Sequence, residues 1–309
     1  KTEVILVDNL LANLASNNAR QIYSQIAGLN IYQNDDAGLQ LNIGGRGLDP
    51  NRTANFNTRQ NGYDISADVL GYPESYYSPP TESLSEIQVI RGAASLQYGT
   101  QFGGLINFKT KSPNPIKPIE VVLRNTLGSN KLYTNFTSFS GTKNKLSYYA
   151  YVNYKRGDGF RPNSQFESKN LFSHFKYAFS PKTALGIEIT YLDYLAQQSG
   201  GLSDDMFNLD PYQSIRSRNW FKVHWLLYNT KFTHRFSDQT TFSFNFFGLN
   251  ASRDAIGFRE NRVDQIDSFE ERDLIKGTFR NFGFESKILQ EYNFLGKNAT
   301  LLLGTKFYK

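Results

Sequence analysis

The feature that most constrains this chain is a pattern repeated nine times between residues 119 and 309. Each repeat is a long run in which apolar and polar residues alternate with a period of two, followed by a break. In 146–155 the even positions are Leu146, Tyr148, Ala150, Val152 and Tyr154, and the odd ones are Ser147, Tyr149, Tyr151, Asn153 and Lys155. In 184–191 Leu185, Ile187, Ile189 and Tyr191 share one face, opposite Ala184, Gly186, Glu188 and Thr190. In 241–248 Phe242, Phe244, Phe246 and Gly248 oppose Thr241, Ser243 and Asn245. Period two is the signature of a strand. The pattern predicts nine strands, near 119–127, 131–140, 145–156, 169–179, 183–195, 221–236, 240–251, 277–294 and 298–309. Most exceed the globular mode of about 5–6 residues and suit tilted strands that cross a bilayer.

The connections point the same way. Short links at 141–144, 180–182, 237–239 and 295–297 alternate with long ones at 157–168, 196–220 and 252–276. The link at 128–130 is short but falls on the long-loop side. Tight turns at one end and long loops at the other characterise an outer-membrane barrel, and a soluble antiparallel sandwich has no reason to keep that parity. Nine strands do not close such a barrel, and an open edge in lipid leaves unpaired backbone groups. The expectation is therefore part of a larger barrel, with a last strand that stops in mid-pattern at Lys309.

Composition removes other classes. The chain has 309 residues and 20% charged side chains, 34 Lys+Arg against 28 Asp+Glu, for a net charge of +6. With 0 Cys it has no disulfide, thiolate metal site or catalytic thiol. No apolar run approaches the roughly 18 residues of a transmembrane helix. No signal-peptide pattern opens the chain at Lys1, so the compartment is read from the barrel pattern. Basic residues are not clustered with the aromatics, which argues against a nucleic-acid stacking platform. The aromatic excess reads as lipid-facing or girdle material.

Residues 1–118 differ. They hold 10 of the 46 aromatics and 11 of the 24 glycines. Residues 18–29 (NARQIYSQIAGL) space Ala19, Ile22, Ile26 and Leu29 like one face of a short helix. Tight turns are marked by IGGRG at 43–47, Asn61–Gly62, Gly71, Gly92, Gly99 and Gly103–Gly104. A mixed α/β unit of about four short strands and two helices is expected at 1–112. The proline-rich stretch KSPNPIKP makes 113–118 a linker, and the barrel strands occupy 119–309. GGRG lacks both the dinucleotide spacing and the Walker lysine.

RGAASLQYGTQFGGLIN at 91–107 resembles the end of the plug domain of TonB-dependent outer-membrane receptors. Arg91, Gly92, Ser95, Tyr98, Gly99, Gly103, Gly104, Ile106 and Asn107 match that pattern. IGGRG resembles the earlier plug motif, and SLSEIQVIRG at 83–92 the strand that leads into the later one. Helix, two motifs, proline linker and long aromatic strands follow in the family's order, and 44–104 looks most like the ferric-citrate type. The resemblance implies a small mixed α/β plug followed by an antiparallel transmembrane β-barrel of about 22 strands, of which nine are present. It implies active import, without bond-making chemistry, of a ferric chelate such as iron(III) dicitrate or a similar siderophore. No intrinsic cofactor is expected, the chelate being the ligand. The implied location is the bacterial outer membrane. The implied partners are outer-membrane lipid and TonB with its inner-membrane energising complex, with no nucleic acid. No TonB box is visible before Lys1. An oligosaccharide or cobalamin importer is the alternative, for which an accessory surface lipoprotein would be a further partner. A passive porin-type barrel is another, against which 1–118 argues.

No catalytic constellation stands out, and no metal site is expected. His224 and His234 share a strand face but lie about 33 Å apart along it, and His174 is elsewhere. DDMFNLD at 204–210 reads as a solvated acidic loop. The segment RGLDPNRTANFNTR at 46–59 carries three arginines against one acid. If it forms the plug apex, Arg52 and Arg59 with Asn57 are candidates for an anionic chelate, since guanidinium forks onto carboxylates. Tyr76 and Tyr77, flanked by prolines, are a second candidate surface. Arg46 and Arg91, inside the motifs, read as plug–barrel contacts with a wall carboxylate such as Glu188. Trp220 and Trp225 lie near one long loop.

Overall fold

The computed structural model describes residues 2–309 apart from 25, 34, 40, 46, 48–55, 70–71, 75, 93–97, 99–103 and 259–262. Two structural units follow one another. In the first, β1 (Thr2–Leu6), α1 (Ala19–Tyr23), β2 (Leu29–Gln33), β3 (Leu41–Gly45), β4 (Phe56–Gln60), β5 (Tyr63–Asp64), β6 (Ala67–Val69), β7 (Tyr72–Glu74), β8 (Leu84–Ile90) and β9 (Gly104–Thr110) succeed each other. A central sheet runs in the order β1-β8-β9-β4-β5, and β2-β3 and β6-β7 are separate pairs. Only β4 and β9 pair in parallel within that sheet. Short strands outnumber the four expected because segments of two to five residues are too brief for alternation to show. Asn18 caps α1 through Gln21 N at 3.2 Å. The helix stops at Tyr23, well short of the expected 29, and the chain turns through Gly28 at φ +72°.

The second unit is one antiparallel sheet of nine strands in sequence order. They are β10 (Glu120–Leu127), β11 (Tyr133–Lys143), β12 (Leu146–Gly157), β13 (Phe166–Ser180), β14 (Thr183–Gln197), β15 (Trp220–Arg235), β16 (Thr240–Ile256), β17 (Ile275–Phe294) and β18 (Lys297–Tyr308). All nine expected strands are present. The short turn between β11 and β12 uses Asn144 at φ +55°, and the one between β17 and β18 uses Leu295 and Gly296 at φ +51° and +75°. α2 (Asp204–Leu209), capped by Ser203, lies in the longest loop. β13 and β16 run three and five residues further toward the loops than the alternation indicated, because Phe166 and Ala255 there are buried against protein.

Side chains of the sheet alternate between lipid and lumen. Val152, Leu171, Ile187, Ile189, Phe246 and Phe282 face outward and are exposed, as a lipid-facing band requires. Toward the long loops the outward face turns charged, with Arg156 opposite Glu167 and Lys222 opposite Asp254. Inward, Phe136, Tyr149, Tyr151 and Phe172 form a buried cluster. A larger core joins plug residues such as Ile22, Phe56, Tyr63 and Val89 to wall residues Leu192, Trp225, Leu227 and Phe247. The aromatic excess thus serves two purposes: part faces lipid, and part packs inside the lumen against the first unit. Among the described residues no helix is long and apolar enough to cross a membrane.

Candidate functional site

β4 and the turn after it form the seam between plug and wall. All five residues of β4 are buried. Asn61 and Gly62, at φ +49° and +90°, make the two-residue turn into β5, where an Asn-Gly pair accepts left-handed backbone with little strain. Three consecutive side chains then reach the wall. Arg59 Nη1 donates to Glu285 Oε1 on β17 at 3.1 Å. Gln60 Nε2 donates to Thr190 Oγ1 on β14 at 3.1 Å, and Asn61 Nδ2 to Glu188 Oε2 on the same strand at 2.9 Å. Arg59 is fully buried and further held by Asn57 Oδ1 at 2.9 Å, Gly62 O at 2.7 Å and Tyr98 O at 3.3 Å. Glu285 also receives Lys287 at 3.0 Å and Lys306 at 3.7 Å, so three cations converge on one buried carboxylate.

This arrangement revises several expectations. Arg59 and Asn57 are not at an open apex: β4 pairs with β9 in the core, which turns Arg59 inward and leaves Asn57 to brace it and Asp64. Glu188 accepts an amide rather than an arginine. Arg91 reaches Glu3 at 3.7 Å and Ala27 O at 3.0 Å, both plug groups, because the β1–β8 pairing sets Glu3 opposite Val89. Arg46 and Arg52 lie outside the described residues.

Tyr76 and Tyr77 are packed. Tyr77 is buried, donates to Gln60 Oε1 at 3.0 Å, and burial pushes its phenol above the usual range. Tyr76 rests among Phe221, Trp225 and Phe279, with ring centroids 5.8, 5.9 and 6.4 Å away, and Arg253 lies 5.3 Å over its ring. Trp225 does not belong to a loop surface: it is fully buried in the lumen and donates to Ile65 O of the plug at 3.3 Å.

At the long-loop end the plug floor and the loops enclose a cavity of about 600 Å³. Asp35 and Asp36 of the floor are tied to the wall side: Tyr194 OH donates to Asp35 Oδ2 at 2.8 Å and Phe160 N to Asp36 Oδ2 at 2.8 Å. Arg161 and Arg216 line the loop side. Arg161 donates to the carbonyls of Gln213 at 3.3 Å and Gly200 at 2.5 Å, and Arg216 to those of Ile215 at 2.9 Å and Gln265 at 3.0 Å. Among the described residues neither guanidinium is within 4 Å of a carboxylate. Such groups keep their charge and spare donors for an incoming anion. Nothing in the sequence marked Arg161 or Arg216, because each sits in a loop without periodicity.

A clasp joins two of those loops. Asp267 receives Arg218 through two hydrogen bonds of 2.8 Å, Phe269 N at 2.9 Å and Arg272 at 3.2 Å. The Arg218 hydrogen bond, helped by Phe269 N and Arg272, holds the Asp267 carboxyl well below the usual range. A depressed carboxylate stabilises above its unfolded pKa of about 3.9 and loses that contribution as pH falls through the folded value. Hydrogen-exchange protection across 265–272, corrected for the intrinsic pH dependence of amide exchange, is therefore expected to stay constant from pH 8 to pH 5. Asp267→Asn should speed exchange there throughout that window. Among the described residues no cluster of three metal-binding side chains occurs, and the acids at 204–210 form none.

Residues 2–105 match the family model for the TonB-dependent receptor plug domain. Among solved structures, the ferric citrate transporter FecA in its unliganded form superimposes with a TM-score of 0.82 at 19% identity, covering 100% of this chain and 47% of that one. The ferric enterobactin receptor PfeA of Pseudomonas aeruginosa gives 0.71 at 16%, covering 99% and 48%. The siderophore receptor PirA of Acinetobacter baumannii gives 0.69 at 16%, covering 99% and 47%. The chain spans about half the length of these structures. Residues 2–105 thus match a TonB-dependent receptor plug domain, and with the nine strands that follow the chain has the fold of a plug and part of its barrel, as in FecA.

Proposed function

We propose that the receptor carrying this chain is a TonB-dependent importer of the bacterial outer membrane. It captures an anionic ferric chelate, of which iron(III) dicitrate is the candidate, in the cavity between plug floor and long loops. The observation that carries the reading is the pair Arg161 and Arg216, which line that cavity bonded to backbone carbonyls. Their charge is available to a polycarboxylate entering from outside, where the clasped loops cover it. The names of the matched structures support the ferric-chelate class. Arg52 remains a proposed ligand contact. Import itself requires the plug to yield, and the polar seam at Arg59, Gln60 and Asn61 is where TonB-driven rearrangement would part it from the wall. The protein makes and breaks no covalent bond in this scheme and needs no resident cofactor.

A second reading, an oligosaccharide importer, is favoured by the amides Gln33, Gln197, Gln198 and Asn219 in the same cavity. The exposed Phe160–Tyr212 stack, with centroids 4.7 Å apart, favours it as well. Uptake assays in cells that depend on the full-length receptor separate the two. Radiolabelled ferric citrate should accumulate in energised cells and stop with an uncoupler. Uptake of a labelled oligosaccharide with no iron uptake would replace the first reading by the second.

A further inference from the structure

A second cavity, of about 400 Å³, lies at the opposite, short-turn end, between the plug and strands β13–β15. Lys109 and Lys111 enter it from the plug, and Lys176 and Lys231 from the wall. Among the described residues none of these four ammonium groups makes a hydrogen bond or lies within 4 Å of a carboxylate. The acids that line it are Glu86 and Glu188, and both are occupied: Glu86 by Gln88 Nε2 at 2.7 Å, Glu188 by Asn61. Like charges gathered around one cleft repel one another.

The wall is shaped around them. Lys176 and Lys231 flank Gly186 in one cross-strand row, and His174 and Asn229 flank Glu188 in the next. No positive φ requires glycine at Gly186, and a Cβ there would meet His174 Nε2 at 3.4 Å in ordinary contact, so a larger side chain would crowd the cavity wall. Glycine in a strand interior weakens it and marks places where another group approaches closely. A cleft lined by one excess sign concentrates counter-ions.

We propose that this chamber is a release-side site for multiply charged oxyanions, polycarboxylates above all, which holds the anionic cargo after it passes the plug and before it leaves. The proposal rests on the chelate reading above. The same chemistry would also hold free periplasmic citrate, so the test has two arms.

The first arm titrates citrate into the detergent-purified full-length receptor by calorimetry. An Arg161→Ala/Arg216→Ala background silences the outer cavity. A citrate site should be present, and it should be lost in Lys176→Gln/Lys231→Gln and in Gly186→Leu. Thermal melting guards against misfolding, and the lysine pair should hold or raise the midpoint because it removes repulsion. The second arm restores the outer arginines and measures ferric dicitrate. Equilibrium binding should stay within twofold of wild type while the uptake rate falls about tenfold in both variants. Citrate binding lost but uptake unchanged would mean the chamber serves free anions and not cargo, overturning the release role. Citrate binding absent or insensitive to both variants would overturn the site itself. Loss of wild-type ferric dicitrate binding with a chamber-dependent citrate site would instead sink the chelate reading alone.

Discussion

Glu285→Ala is expected to destabilise the seating of the plug by about 3–5 kcal/mol, the range for stripping one partner from a buried ion pair. The site is unforgiving because the remaining charges are all of one sign. Arg59, Lys287 and Lys306 meet on this carboxylate, two of them within 3.1 Å and the third at 3.7 Å. Without it the guanidinium stays buried and has only the neutral acceptors Asn57, Gly62 and Tyr98. Glu285→Gln should do less harm, since an amide oxygen still accepts from Arg59. Hydrogen exchange of β4 in the full-length receptor reads the effect. A fall in protection confined to β4 and β5 is expected, and unchanged exchange would show that the pair does not hold the plug.

Trp225→Ala is the second large effect, expected near 3–5 kcal/mol for the loss of a fully buried indole. Trp225 stands where the apolar parts of both units meet. Its ring contacts Tyr76 edge-on and Phe279 at 6.1 Å, and its N–H is spent on Ile65 O. The truncation leaves a cavity and an unpaired plug carbonyl together. Trp220→Phe, at the loop end of the same strand and only half-buried, should stay within about 0.5 kcal/mol. Guanidinium-induced release of the plug, followed by near-ultraviolet circular dichroism, compares the two. Equal effects would contradict the placement of Trp225 in the lumen.

The barrel was legible because a wall between lipid and lumen imposes period two over many residues, and Leu146–Tyr154 or Leu185–Tyr191 display it without help. Loop parity added direction. The plug was legible by its motifs, but its small strands were not, since Tyr63–Asp64 or Ala67–Val69 carry too few residues to show a period. The seam was hidden for another reason. Arg59 and Glu285 are 226 positions apart, and only the folded register brings them together. One clue was available: on the face that alternation assigns to the lumen, Glu285 and Lys287 end the neutral run from Ile275 to Gly283. Asn61–Gly62 could likewise have been read as a hairpin whose tip must touch something. The loop arginines offered no such clue, and the apex candidates at Arg59 and Asn57 erred because a charged segment was read as exposed when its last residues, 56–59, belong to the buried strand β4.

The measurement that tests the account most directly is tryptophan fluorescence of the detergent-purified full-length receptor. It is titrated with ferric dicitrate, a hydroxamate siderophore chelate, cobalamin and a panel of oligosaccharides. Charge-assisted hydrogen bonds to a carboxylate are worth about 1.5–3 kcal/mol each, roughly ten- to hundredfold in affinity. The account predicts saturable quenching by ferric dicitrate that weakens at least tenfold in Arg161→Ala and in Arg216→Ala, with no response to the neutral sugars. A saturable response to oligosaccharides, none to the iron chelates, and indifference to both arginine variants would contradict it.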